Sequence, residues 1–227
     1  MGLAVSIHQP NYAPWCGYFA KIRTADVFVF LDDVQMSKGS YTSRCQIRNG
    51  AEVQWLSVPV RFHLGDLINQ VQCGSAVWPR KHLQTLQMVY GRCPYFADIM
   101  DLITPAYESA GASLSSFNMQ LVRRLADYLG LERRFEVAGR LAVEQTSDDR
   151  LVSIVKSLGG TRYISGKGGV NYQDPEKFRQ AGIELDVRSY HPVPYPQIHG
   201  EFIGGLSILD ALFHVGREAT ELLVYRD

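Results

Sequence analysis

The sequence has no excess charge of either sign, since 23 lysines and arginines face 23 aspartates and glutamates. A bulk electrostatic hold on nucleic acid or a membrane surface is therefore not expected, which leaves only a local basic site open. There is no apolar window long enough to span a bilayer, and no basic segment with a long apolar stretch leads the chain. A cytoplasmic protein with no membrane insertion is expected. Gly2 does not open a good myristoylation motif, because the strand needs Ser6 and its neighbours for its core. The four cysteines, Cys16, Cys45, Cys73 and Cys93, are scattered with no C-x-x-C pair. Zinc and a disulfide framework are thereby disfavoured, and no metal is assigned. No repeat or low-complexity segment interrupts the chain.

What is present suits one large domain of 227 residues, burying roughly 70% of the surface its unfolded form exposes. Leu3 to Ile7 is a short apolar run, a polar turn follows, and Pro14 suits the first turn of a helix through Trp15, Phe19 and Ile22 that stops near Thr24. Val27 to Leu31 is apolar on both faces, as a central parallel strand is. Gln35 to Arg48 reads as loop with some strand, and Val53 to Val60 as a third strand whose Pro59 places its end near an edge. Helices are expected from Pro79 to Gly91, Tyr95 to Ser109 and Ser115 to Leu129. A polar patch then leads to a helix capped by Ser147 and ended by Gly159-Gly160. Next come a strand over Arg162–Ser165, a glycine turn at 166–169, a helix from Asp174 to Gly182 and a strand over Ile183–Val187. Ser207-Ile208-Leu209-Asp210 is a capping-box pattern opening a last helix. The alternation at both ends predicts an α/β fold, a mostly parallel sheet flanked by helices. The expectation is a single domain over 1–227 with a helical lobe inserted at 78–131.

In such a sheet His8 and Asp32 both lie beyond strand carboxyl ends, where ligands bind. His8 is a candidate general base, with Asp32 fixing its tautomer; the alternative is an imidazole that hydrogen-bonds backbone within the turn. Asp32-Asp33 can hold a ribose or Mg²⁺, or simply cap a turn. Tyr12, Trp15 and Tyr18 can stack on a nucleotide or sugar, or pack beneath the turn. Lys38, Arg44 and Arg48 form a sparse basic set that can pair with phosphates, or a solvated loop. The stretch from Gly160 to Lys167 misses the phosphate-loop pattern. Its glycine spacing is one residue too long, and Gly168 stands where a metal-binding hydroxyl belongs. Gly166 to Gly169 can still be a backbone-donating turn near an anion. Cys16 at a helix start is a weaker nucleophile candidate.

The layout from His8 to Tyr18 also resembles the nucleotide-binding turn of class I adenylyl-transfer enzymes, with Trp15 and Tyr18 where those carry histidines. A closer resemblance covers nearly the whole chain. His8-Gln9-Pro10-Asn11-Tyr12, Pro14-Trp15, Gly17-Tyr18-Phe19, Asp32-Asp33-Val34-Gln35, Trp55 to Val60, Tyr163-Ile164-Ser165-Gly166, Tyr195-Pro196-Gln197 and Leu206 to Asp210 together resemble the WbqC-like protein family. The sequence departs from that family at Cys16, where an aliphatic residue is usual, at His214, where Asn is common, and at Lys167.

That resemblance implies transfer of an acyl or aminoacyl group in bacterial surface-polysaccharide or natural-product pathways. The expected donor is a thioester on phosphopantetheine or CoA, with an acyl or peptidyl carrier protein as partner. The expected acceptor is the amine or hydroxyl of a nucleotide-linked sugar or similar small molecule. His8 is expected to remove the acceptor's proton, worth ~10²–10⁴-fold, with Asp32 orienting it and Tyr18 beside it. Backbone N–H groups near Gly17-Tyr18 are the candidate oxyanion donors. Substrate contacts are assigned to Gln9, Tyr12, Trp15, Gly17, Asp33, Gln35, Lys38, Tyr41, Arg44, Ser165, Gly166, Lys167 and Gly168, with Lys38 and Arg44 on phosphate. Two other classes stay open: an ATP-using nucleotidyl-transfer or ligase enzyme, and a non-catalytic module that binds a carrier protein or nucleotide sugar.

Overall fold

The computed structural model describes residues 2–169 and 173–225. Its chain begins with β1 (Ala4–His8), α1 (Cys16–Thr24) and β2 (Val27–Phe30). β2 is wholly buried and β1 nearly so, as expected of central strands that are apolar on both faces. An antiparallel hairpin follows, β3 (Arg44–Asn49) with β4 (Glu52–Ser57), then a two-residue ribbon of β5 (Val60–Arg61) and β6 (Gln72–Cys73). Three helices come next, α2 (Trp78–Tyr90), α3 (Phe96–Glu108) and α4 (Leu114–Tyr128). The chain returns to the sheet as β7 (Arg134–Val137), and continues through α5 (Ser147–Ser157), β8 (Arg162–Gly166), α6 (Pro175–Gln180), β9 (Glu184–Arg188) and α7 (Ile208–Val215).

The five long-range strands form one parallel sheet in the order β7-β2-β1-β8-β9. The fold is α/β. Alternation along β1 and β2 divides the interior. Val5, Ile7, Val27 and Val29 pack with Ile154, Val155 and Phe178 of α5 and α6 on one face. Phe28 and Phe30 look the other way, into a larger core with Phe19 of α1 and Leu212 of α7. Leu86, Ile103 and Leu121, from the three middle helices, belong to that same core. The helices of 78–131 therefore lie within the β2–β7 crossover and share the main core.

Two expectations are corrected. The third strand expected over 53–60 ends at Ser57 and pairs antiparallel with β3, outside the parallel sheet. The ladder stops before Pro59, which has no N–H to donate. The sheet instead takes β7, whose Arg134 and Glu136 made it read as polar patch. It is an edge strand, and its pairing leaves those side chains in a mutual ion pair. Ser207 does cap α7, accepting from Leu209 N–H at 3.2 Å. The expected reciprocal half of the box is absent, because the Asp210 carboxylate is held by Tyr90, Tyr195 and Gln197.

Candidate functional site

From β1 the chain proceeds outward through β2 to β7, then returns past β1 to build β8 and β9 on the other side. β1 and β8 are therefore the strands between which the order reverses. The crevice beyond their carboxyl ends is the preferred ligand position of such sheets. His8 ends β1 and Gly166 ends β8, and extending the Ser6–Ile164 pairing by two residues sets them side by side. A cleft of about 620 Å³ opens there, lined by His8, Trp15, Gly17, Tyr18 and Lys21 on one wall. Ser165, Gly166, Lys167, Gly168 and Gly169 form the other wall, with Arg188 and Tyr190 beyond. That volume is in the usual range for small-molecule sites.

His8 is half-buried, its Nδ1 3.1 Å from the Gln9 carbonyl oxygen. A carbonyl only accepts, so Nδ1 carries the proton and Nε2 keeps a lone pair. Among the described residues Nε2 has no hydrogen-bond partner. Burial, and then the nearby Lys21 charge, push the imidazole down to about 3, so it is neutral at physiological pH. Tyr18 packs its ring edgewise at 4.7 Å from the His8 ring and donates its hydroxyl to the Gln9 carbonyl at 3.0 Å. One carbonyl thus fixes both the tautomer of His8 and the position of the tyrosine beside it.

Asp32 does not orient His8. It lies past the end of the neighbouring β2, where its carboxylate accepts from Gly139 N–H at 3.1 Å, and no hydrogen bond joins it to His8. Asp33 is ion-paired with Arg150 of α5. Both carboxylates fasten the sheet edge to the following segments and neither lines the cleft. The Tyr18 N–H is also spent, donating to the Trp15 carbonyl at 3.0 Å.

Six further assigned residues lie outside the cleft lining. Tyr12 is fully buried, its hydroxyl 2.7 Å from His82 Nδ1 and 2.6 Å from the Tyr107 hydroxyl, which pins the turn to α2 and α3. The Gln9 side chain accepts from Thr42. Gln35 is exposed and bridges to Leu67. Lys38 is exposed. Tyr41 packs at 5.6 Å from Trp55, and the Arg44 guanidinium stacks on Trp55 at 3.9 Å. Tyr41 and Arg44 therefore form a surface patch with the hairpin.

Ser165, Gly166, Lys167 and Gly168, singled out in the sequence, lie in the cleft lining. Ser165 donates to Gln173 Oε1 at 2.7 Å, and a Cβ on Gly169 would fall 2.4 Å from the Ser165 oxygen. The turn is thereby drawn tight against the strand end, with Gly166 and Gly168 at the cleft.

Lys21 is the residue the sequence reading missed. It is 8% exposed, yet it lines the cleft, with its Nζ 3.4 Å from the Ile7 carbonyl. Burial lowers it to about 8. It sits one helical turn after Tyr18 on a helix buried at seven of nine residues, and only that spacing from Tyr18 was there to be read in the sequence.

Cys16 loses support as a nucleophile, since burial pushes its thiol up to about 12. His214 is a structural pin: Nδ1 donates to the Asp210 carbonyl at 2.7 Å, and Nε2 accepts from Ile198 N–H at 3.1 Å. Among the described residues no group of three or more His, Cys, Asp or Glu is placed to hold a metal ion. Likewise no helix is long and apolar enough to cross a membrane.

Residues 9–222 match the WbqC-like protein family. A Mycobacterium tuberculosis protein named "Uncharacterized protein Rv1507c" is 33% identical over 227 residues, covering 97% of each chain. No solved structure matches.

Proposed function

The chain belongs to the WbqC-like protein family, and on that premise we propose that it is an acyl- or aminoacyltransferase working at the His8 cleft. The donor is a thioester on phosphopantetheine or CoA, delivered by an acyl or peptidyl carrier protein. The acceptor is the amine or hydroxyl of a small molecule such as a nucleotide-linked sugar. The setting is surface-polysaccharide or natural-product biosynthesis in the cytoplasm. The observation that supports it most is the geometry of His8, whose backbone-fixed tautomer leaves Nε2 with no partner among the described residues at the switch point of the sheet.

In this reading the acceptor's nitrogen or oxygen attacks the thioester carbonyl carbon while His8 Nε2 takes its proton. The C–S bond then breaks, and the departing thiolate recovers that proton from His8. A thioester is already activated, so the protein's work is alignment and proton transfer. The glycine turn at 166–169 and the aromatic side chains Trp15 and Tyr18 bound the space in which the two partners meet.

The test is turnover by His8→Gln against a panel of acyl-CoA and carrier thioesters with amine and hydroxyl acceptors, followed by product mass. A loss of ~10²-fold or more with unchanged melting supports the assignment. Wild-type turnover by the variant rejects it.

A second reading, nucleotidyl transfer from ATP, is favoured by the strand order alone, which is a common dinucleotide-binding layout. Stabilisation by ATP with Mg²⁺, absent with acyl-CoA, would select it.

A further inference from the structure

The cleft holds a buried cation that no carboxylate answers among the described residues. Among the described residues Lys21 makes one hydrogen bond, to the Ile7 carbonyl at 3.4 Å, and no salt bridge. Among the described residues that line the cleft there is no Asp or Glu. An ammonium held out of water without a counter-charge is destabilising, and an uncharged side chain would fill the same space in α1 without that cost.

The charged and titratable neighbours of Lys21 around the cleft are basic or phenolic. His8, Lys167, Arg188 and His191 share the lining with Lys21, as do the tyrosines Tyr18, Tyr163, Tyr190 and Tyr225. Arg188 is paired with Asp186 just behind the wall. Arg188 thus already has its acidic partner and His8 is neutral, which leaves Lys21 as the buried ammonium with no carboxylate beside it among the described residues. Lys38 and Arg44, the phosphate contacts expected from sequence, do not reach the cleft lining.

We propose that Lys21 is the oxyanion-binding residue of the cleft, receiving a phosphoryl or carboxylate group of the ligand. This rests on the cleft being the working site and specifies what it binds. The volume of about 620 Å³ leaves room for an organic remainder against Trp15, Tyr18 and Tyr190. The arrangement also couples binding to basicity. The Lys21 charge is the second cause, after burial, that holds down the His8 imidazole. An anion seated on Lys21 cancels that repulsion, so the ligand's own charge makes His8 a better proton acceptor.

Calorimetry with inorganic phosphate, acetate and uridine monophosphate, with uridine as the neutral control, tests the site. Wild-type protein is expected to bind at least one anion, and uridine monophosphate at least tenfold more tightly than uridine. Lys21→Met should cost about tenfold or more in anion affinity, as loss of a charge-assisted contact does. Phosphate binding without acetate binding identifies a phosphoryl ligand, and the reverse identifies a carboxylate. Should Lys21→Met not fold, Lys21→Gln and the wild-type pH series decide, since acetate affinity is expected to fall as pH rises past about 8. Failure of every anion to bind, equal anion affinity in the wild type and the Lys21 variants, or, where acetate binds, an acetate affinity flat across that pH range would each overturn the proposal. Anion binding without any acyl transfer leaves this site standing and removes the transfer reading. Acyl transfer with no anion dependence does the opposite.

Discussion

Gly17 lies beneath the indole of Trp15, where a Cβ would come within 2.6 Å of the ring. The close approach lets Trp15 fold over the start of α1 and meet Tyr190 edge-on at 5.1 Å, and all three residues line the cleft. Gly17→Ala must push the indole outward. Overpacking of this kind costs ~1–3 kcal/mol. The variant should melt lower and bind cleft ligands more weakly; an unchanged melting temperature with unchanged ligand affinity would show that the ring has somewhere else to go.

Stability should fall on mild acidification. His8 and His82 are held neutral by burial, at about 3 and about 4, against 6.5 for a free histidine. Below 6.5 the unfolded chain takes up two protons that the folded chain refuses. The stability they confer is complete above 6.5 and is lost as pH falls toward 4, at about 2–3 kcal/mol per pH unit in mid-window. Urea denaturation across that window measures the slope. His82→Gln should remove about half of it, and a slope the same in the variant would show that other groups set the acid limit.

Asp210 is fully buried and accepts from the Tyr90 and Tyr195 hydroxyls at 2.8 and 2.6 Å and from Gln197 at 2.8 Å. Arg48 joins this cluster through its contact with Gln197. Removing the acceptor strands three donors in the core, so Asp210→Ala should destabilise by roughly 3 kcal/mol or more. Asp210→Asn keeps the shape and one acceptor oxygen and should lose less. Equal losses in the two variants by chemical denaturation would mean that packing, and not the hydrogen bonds, is what Asp210 supplies.

The parallel sheet was legible because β2 is apolar on both faces and β1 nearly so, and because strand and helix alternate at both ends of the chain. β7 was not, since an edge strand with Arg134 and Glu136 facing outward has no periodic apolar signal. The position of His8 followed from the strand-then-turn pattern, as did the glycine turn after Ser165. The roles of Asp32 and Tyr12 did not. A carboxylate two residues beyond a strand can turn toward either neighbour, and only the β2–β7 pairing directs Asp32 to Gly139. Tyr12 meets His82 and Tyr107 across 70 and 95 residues, and a hydroxyl pairing over such separations leaves no local trace. Lys21 was hidden by its residue type, because a lysine in an amphipathic helix ordinarily marks the solvent face.

The place of β1 in the sheet has a consequence for biosynthesis. Its second neighbour, β8, begins only at Arg162, so β1 has one flank open while the long stretch between them is being made. A greasy, unpaired backbone edge waiting that long is a ready template for pairing between nascent chains. Expression yield should therefore depend on temperature and chaperone supply more steeply than the stability of the finished molecule would suggest.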